Sequence, residues 1–150
     1  MSAITLLVDD PAWRKTRGLQ ARLKRAASAA LRAGFKGKGA LTILLSSDQR
    51  LKALNRDFRG KNRPTNVLSF PSGGSDGYRG DVAIAYGVTR REAEAAGKPF
   101  ADHASHLVVH GILHLAGYDH ETAREAEIME PLETRILKTL GIADPYKAGA

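Results

Sequence analysis

From Pro99 to Gly117 the chain is apolar on almost every side of a helical projection, with Leu107, Val108, Val109, Ile112, Leu113 and Leu115 spread around the turn. A helix of that kind has to be enclosed by other elements, so it sets the plan of the fold: the remaining strands and helices must be arranged around it. Pro99 suits its first turn. One polar line survives on it. His103, His106, His110 and His114 follow one another at steps of three, four and four, which stacks them along a single helical stripe. His110 and His114, a turn apart on one face, have chelating geometry. Gly117 can then end the helix in a left-handed conformation and turn the chain so that His120 is presented from outside the helix axis.

A lone histidine on an apolar helix is usually a buried side chain with one hydrogen-bond partner. Several buried imidazoles without compensation would be costly, whereas coordination uses their lone pairs. His110, His114 and His120 are therefore expected to bind a metal. Three imidazoles with an open fourth position describe a catalytic site better than a structural one, and zinc suits them best, with another divalent transition metal such as Ni2+ as the alternative. His106 is expected beside the metal, in the second rank of the site or as a polar pocket residue; Asp119 is expected to orient a ligand histidine and Asp81 to hold structure near the pocket. The spacing H-x3-H-x2-G-x2-H is also that of the metzincin peptidases, but Gly111 stands where their catalytic glutamate would be. A glycine cannot take a proton, so peptide hydrolysis by that route is not expected.

The segment His110 to His120 meets H-G-x-L-H-L-x-G-Y-D-H at every specified position. An arginine-bearing segment, Asn55 to Arg59, leads into Pro64-Thr65-Asn66-Val67-Leu68-Ser69-Phe70, and Gly80-Asp81-Val82 follows. In these blocks the chain resembles the YbeY-like endoribonucleases, the bacterial ribosomal RNA maturation factors, over roughly positions 40 to 140. One position departs from the family pattern P-T-D-V-L-S-F: Asn66 stands in place of the aspartate. The resemblance implies a single-strand-specific, metal-dependent endoribonuclease acting in ribosomal RNA processing, including maturation of the small-subunit RNA 3′ end, and in ribosome quality control. Ribosomal RNA, the small subunit and its assembly factors would be the partners. With that weight added, Arg59 is the expected catalytic residue, because its planar fork suits bidentate contact with a phosphate.

Composition agrees. At 150 residues and 43% hydrophobic the chain can bury one sizeable core, so residues 1–150 are expected to form one metal-dependent hydrolase domain. It has no cysteine, which leaves nitrogen and oxygen as ligands. Twenty-three Lys and Arg against sixteen Asp and Glu give +7, a balance that favours an anionic partner. Arg56, Arg59, Lys61 and Arg63 put four cations in eight residues and are the expected RNA-binding group, whereas most cations of residues 14–32 read as solubilising a helix. The apolar run Ile4 to Val8 is too short for a signal peptide and no stretch approaches a membrane span, so a cytoplasmic protein is expected. Two other classes share the histidines: a zinc metallopeptidase-like hydrolase, and a non-catalytic zinc-binding ribosome-associated protein.

The elements alternate. Strands are expected at Ile4–Val8, Leu41–Leu45, Val67–Phe70 and Val82–Ala85. Helices are expected over Pro11–Ala33, Ser47–Phe58, Thr89–Ala96, the histidine segment and Glu121–Leu140. The last helix should carry an apolar stripe of Ile128, Leu132, Ile136 and Leu140 and be kinked or broken at Pro131. The class is α+β: a small mixed sheet of about four strands packed with helices, one of them a zincin-like central helix bearing the metal.

Overall fold

The computed structural model describes residues 3–36, 39–73, 77–119 and 121–146. Strand β1 (Ala3–Val8) leads through a short 3-10 helix (Pro11–Arg14) into α1 (Leu19–Gly34), followed by β2 (Ala40–Ser46) and α2 (Asp48–Arg59). Then come β3 (Val67–Pro71), β4 (Tyr78–Ala85), α3 (Tyr86–Ala96), α4 (Phe100–Leu115) and α5 (Ala123–Thr139). The four strands form one sheet in the order β1-β2-β4-β3. β1, β2 and β4 run parallel, while β3 pairs antiparallel with β4, Ser69 opposite Val82. This is the small mixed sheet of an α+β domain.

Strand alternation divides the side chains between two faces. Leu41, Ile43, Leu45, Val82 and Ile84 join the main core with α1, α4 and α5, whereas Leu68, Ala83 and Ala85 form a smaller cluster with Leu51 of α2. α4 lies in the middle of the main core: Ala104, Val108, Val109, Ile112 and Leu113 are fully buried, each of the larger ones contributing about 1.5–3 kcal/mol by leaving water. At position 111 there is no room for a side chain, since a Cβ there would lie 2.6 Å from Val82 Cγ1. The Ser69 hydroxyl also donates to the Gly111 carbonyl at 2.8 Å, so glycine lets the helix backbone settle directly on the sheet. At the other end of the core the Trp13 ring is fully buried. It packs edge-on to Tyr86 at 5.4 Å and beside Phe100 at 5.6 Å, and its Nε1 donates to the Ser46 carbonyl at 2.8 Å.

Three local expectations are corrected. The helix expected from Pro11 to Ala33 is two pieces, because Gly18 adopts a left-handed φ of 74° and starts α1 afresh. Of the kink or break expected at Pro131, the break does not occur, since α5 is one helix from Ala123 to Thr139; the proline lies on the exposed side, where water can hydrate the carbonyl it leaves unpaired. Of the expected stripe on α5, Leu132, Ile136 and Leu140 do pack into the main core, but Ile128 does not. Ile128 is 58% exposed, while Met129, Glu133, Ile136 and Leu137 are buried, so the apolar face of this helix contains a glutamate.

Candidate metal centre

The histidine stripe forms as the spacing requires, on the one side of α4 that the core leaves open. His110 and His114 bring their Nε2 atoms within 3.0 Å of each other. Two nitrogens bound to one tetrahedral zinc at about 2.05 Å would lie roughly 3.3 Å apart, so the pair is already spaced as two ligands of one ion. Past His114 the helix ends, and Gly117 takes up φ 98°, a conformation closed to most other residues. Tyr118 and Asp119 follow on the far side of this turn; His120, the expected third ligand, lies outside the described residues.

Behind His110 stands a residue that the histidine pattern does not announce. Glu133 of α5 is fully buried, and its Oε1 lies 3.2 Å from His110 Nδ1. Its Oε2 lies 2.6 Å from His106 Nε2 and accepts from the Tyr146 hydroxyl at 2.9 Å. An ionised carboxylate only accepts, so His110 donates to it from Nδ1, and Nε2 is the ring atom turned toward His114. Burial pushes the Glu133 carboxyl upward, but the hydrogen bonds from His106 and His110 outweigh it and hold the group down at about 2. Burial and the Glu133 charge push the Tyr146 phenol up, which keeps it a donor. His106, His110 and Glu133 lie close enough together to hold a metal among themselves. The direct His106–Glu133 hydrogen bond nevertheless fills the space between that pair. The donor set fits a metal better at the Nε2 side, with Glu133 as the outer carboxylate that fixes the ligand tautomer.

In front of His110 and His114 opens a cleft of about 520 Å³, lined also by Arg59, Asn66, Ser69 and Asp119. Arg59 is the last residue of α2, so the two elements that the sequence singled out meet across one cavity. The other expected residues are distributed around it. Arg56 pairs with Asp57 at 3.0 Å outside the cleft. Lys61 and Arg63 lie exposed on the loop after α2, which is tied down by Asn55: its side-chain Nδ2 donates to the Arg63 carbonyl at 2.9 Å and its main-chain carbonyl accepts from Lys61 N. Asp81 does not reach the cleft. On β4 it alternates with Val82, so it faces away from α4 and receives the Tyr78 hydroxyl. His103 pairs with Glu92 at 2.9 Å, although burial pushes its imidazole down.

Asn66 has a local explanation. Its Nδ2 donates to Glu92 Oε1 at 3.1 Å, the same oxygen that meets His103. An aspartate there would set two carboxylates against each other at this distance, whereas the amide supplies a donor.

Over residues 11–141 the sequence matches the family model described as endoribonuclease YbeY. The protein named endoribonuclease YbeY in Maricaulis maris (strain MCS10) is 46% identical over 148 residues, covering 97% of this chain and 92% of the relative. Its namesake in Alkalilimnicola ehrlichii is 51% identical over 143 residues, covering 91% and 86%. Among solved structures, the solution structure of TM1509 from Thermotoga maritima aligns with a TM-score of 0.66 at 28% identity, covering 96% of this chain and 99% of that one. The chain belongs to the endoribonuclease YbeY family.

Proposed function

We propose that the protein is a metal-dependent endoribonuclease that cleaves single-stranded RNA in ribosomal RNA processing. The observation that carries this is one cleft shared by Arg59, His110 and His114, the two histidines facing each other through Nε2 at 3.0 Å. His110, His114 and His120 would hold the ion, zinc before nickel, with His106 and Asp119 around them. When bound, such an ion supplies Lewis acidity at a phosphoryl oxygen and a bound water of lowered pKa. The chain's own residues do the rest. Arg59 grips the phosphate where charge develops, Glu133 holds the His110 ring in place, and Lys61 and Arg63, with Arg56 behind them, attract the RNA backbone. A peptidase base beside the first histidine is excluded by packing, because Gly111 has no space for a side chain. The small ribosomal subunit and its assembly factors, encountered in the cytoplasm, are the proposed setting, with the 3′ end of the small-subunit RNA as substrate. Residues 1–150 are proposed to act as one domain.

The test is cleavage of a single-stranded oligoribonucleotide by metal-loaded protein. Arg59→Glu should keep metal content and circular dichroism while losing roughly 10² or more in cleavage rate, the usual scale for one well-placed electrostatic group. Parental rates in Arg59→Glu at saturating RNA would remove Arg59 from the chemistry; cleavage of an unfolded polypeptide by the parental protein would overturn the substrate class.

A further inference from the structure

Phe58 is 68% exposed, although a small apolar cluster that would accept it lies beneath α2. It precedes Arg59 on α2, about 100° around the helix axis from it, and Arg59 itself lines the cleft. It is not loose there. Phe70, the penultimate residue of β3, meets it edge-to-face with ring centroids 5.3 Å apart and planes at 68°, which fixes the orientation of Phe58 and leaves most of its surface open. In sequence around Phe58, Arg56, Arg59, Lys61 and Arg63 stand against one acid, Asp57, on a segment whose residues 56 to 64 are all exposed. An apolar docking site for another protein would not be ringed by so many cations. A flat aromatic face set in positive charge matches a nucleobase attached to a phosphate backbone.

We propose that Phe58 is a stacking platform for an unpaired base next to the scissile phosphate. The proposal rests on the endoribonuclease reading and refines it. With a phosphate held by Arg59, a base of a neighbouring nucleotide turns onto Phe58, and Lys61 and Arg63 follow the backbone outward. Bases inside a duplex already have both faces covered by their neighbours, so only a single strand can use the platform. Phe58 thereby selects single-stranded substrate by a contact that needs no sequence readout.

The experiment uses metal-loaded protein and a single-stranded oligoribonucleotide carrying one 2-aminopurine, whose fluorescence is quenched on stacking. Phe58→Leu keeps an apolar side chain on an exposed position but removes the aromatic face. It should raise KM by about 5- to 150-fold, the span that loss of one base–aromatic stack produces, with a much smaller change in kcat and loss of the quench. Phe58→Trp should restore both. Ile128→Ala, an exposed apolar residue on α5, should change neither. An unchanged KM in Phe58→Leu, or a quench that survives it, would overturn the platform while leaving the endoribonuclease reading standing. Failure of the parental protein to bind or cleave the oligonucleotide would bring down that reading and the platform with it.

Discussion

Glu133 is the residue on which the proposed metal site turns. A buried carboxylate costs several kcal/mol to desolvate, and here three donors, His106, His110 and Tyr146, offset that cost. Replacing it with glutamine keeps the size but removes the charge that holds the His110 proton on Nδ1. Glu133→Gln should therefore weaken metal binding by about 10- to 100-fold, read by competition with a chromogenic chelator, and should shift the visible absorption of a cobalt-substituted site. An unchanged affinity would make Glu133 a purely structural residue. Complete loss of metal in Glu133→Gln, with retention in His114→Ala, would put Glu133 on the ion itself. His110 and His114 were legible from a spacing of four residues on one helix, a purely local relation. Glu133 was not, because it meets them across the packing of α4 against α5, and the expected stripe on α5 ran through the exposed Ile128. A signal was present in hindsight: an acid at a position flanked by Met129, Ile136 and Leu137. Asn66 was visible only as a departure from a pattern, since its partner Glu92 lies on α3.

Elements with a strong local period are legible in the sequence: the four strands, although β4 begins at Tyr78 and not at Val82, and the buried histidine helix. The differences fall where backbone conformation or solvent decides the outcome, at Gly18, whose positive φ splits the first helix, and at Pro131, where the helix continues without a break on its water-facing side. α2 and its loop show how an element carries function beyond its own length. Ser47 caps it and Gly60 ends it with φ 70°. The buried Asn55 then ties residues 61 to 63 back to the helix, so the cations after the helix are held in place. Asn55→Ala should free this loop and cost about 1 kcal/mol for the lost bond, lowering the melting temperature by a few degrees. KM for RNA should rise several-fold with metal content unaltered. Retention of the parental KM in a variant shown to be less stable would mean that loop order does not matter for binding.

At the scale of the whole molecule, the core and the metal centre are separable. The apolar residues of α4 are buried against α1, α5 and the sheet without help from the histidines, unlike small domains that fold only around zinc. Exhaustive chelation should abolish RNA cleavage but leave far-ultraviolet circular dichroism intact. Binding to the native state alone contributes about 4 kcal/mol at a thousandfold excess over Kd, so metal-free protein should melt roughly 8–16 °C lower at that excess, given 2–4 °C per kcal/mol for a domain of this size. Collapse of the dichroism spectrum at 25 °C on chelation would show that the ion is part of the core.

The chain has a single tryptophan, and Trp13 is sealed between Tyr86 and Phe100 at the opening turn of α4. His110 comes ten residues further along that helix, about 15 Å away. The natural fluorophore therefore reports on the packed end of the molecule, away from the proposed metal site. Its emission should therefore follow unfolding and change little on metal binding, so one sample would give folding and ligation signals on separate optical channels.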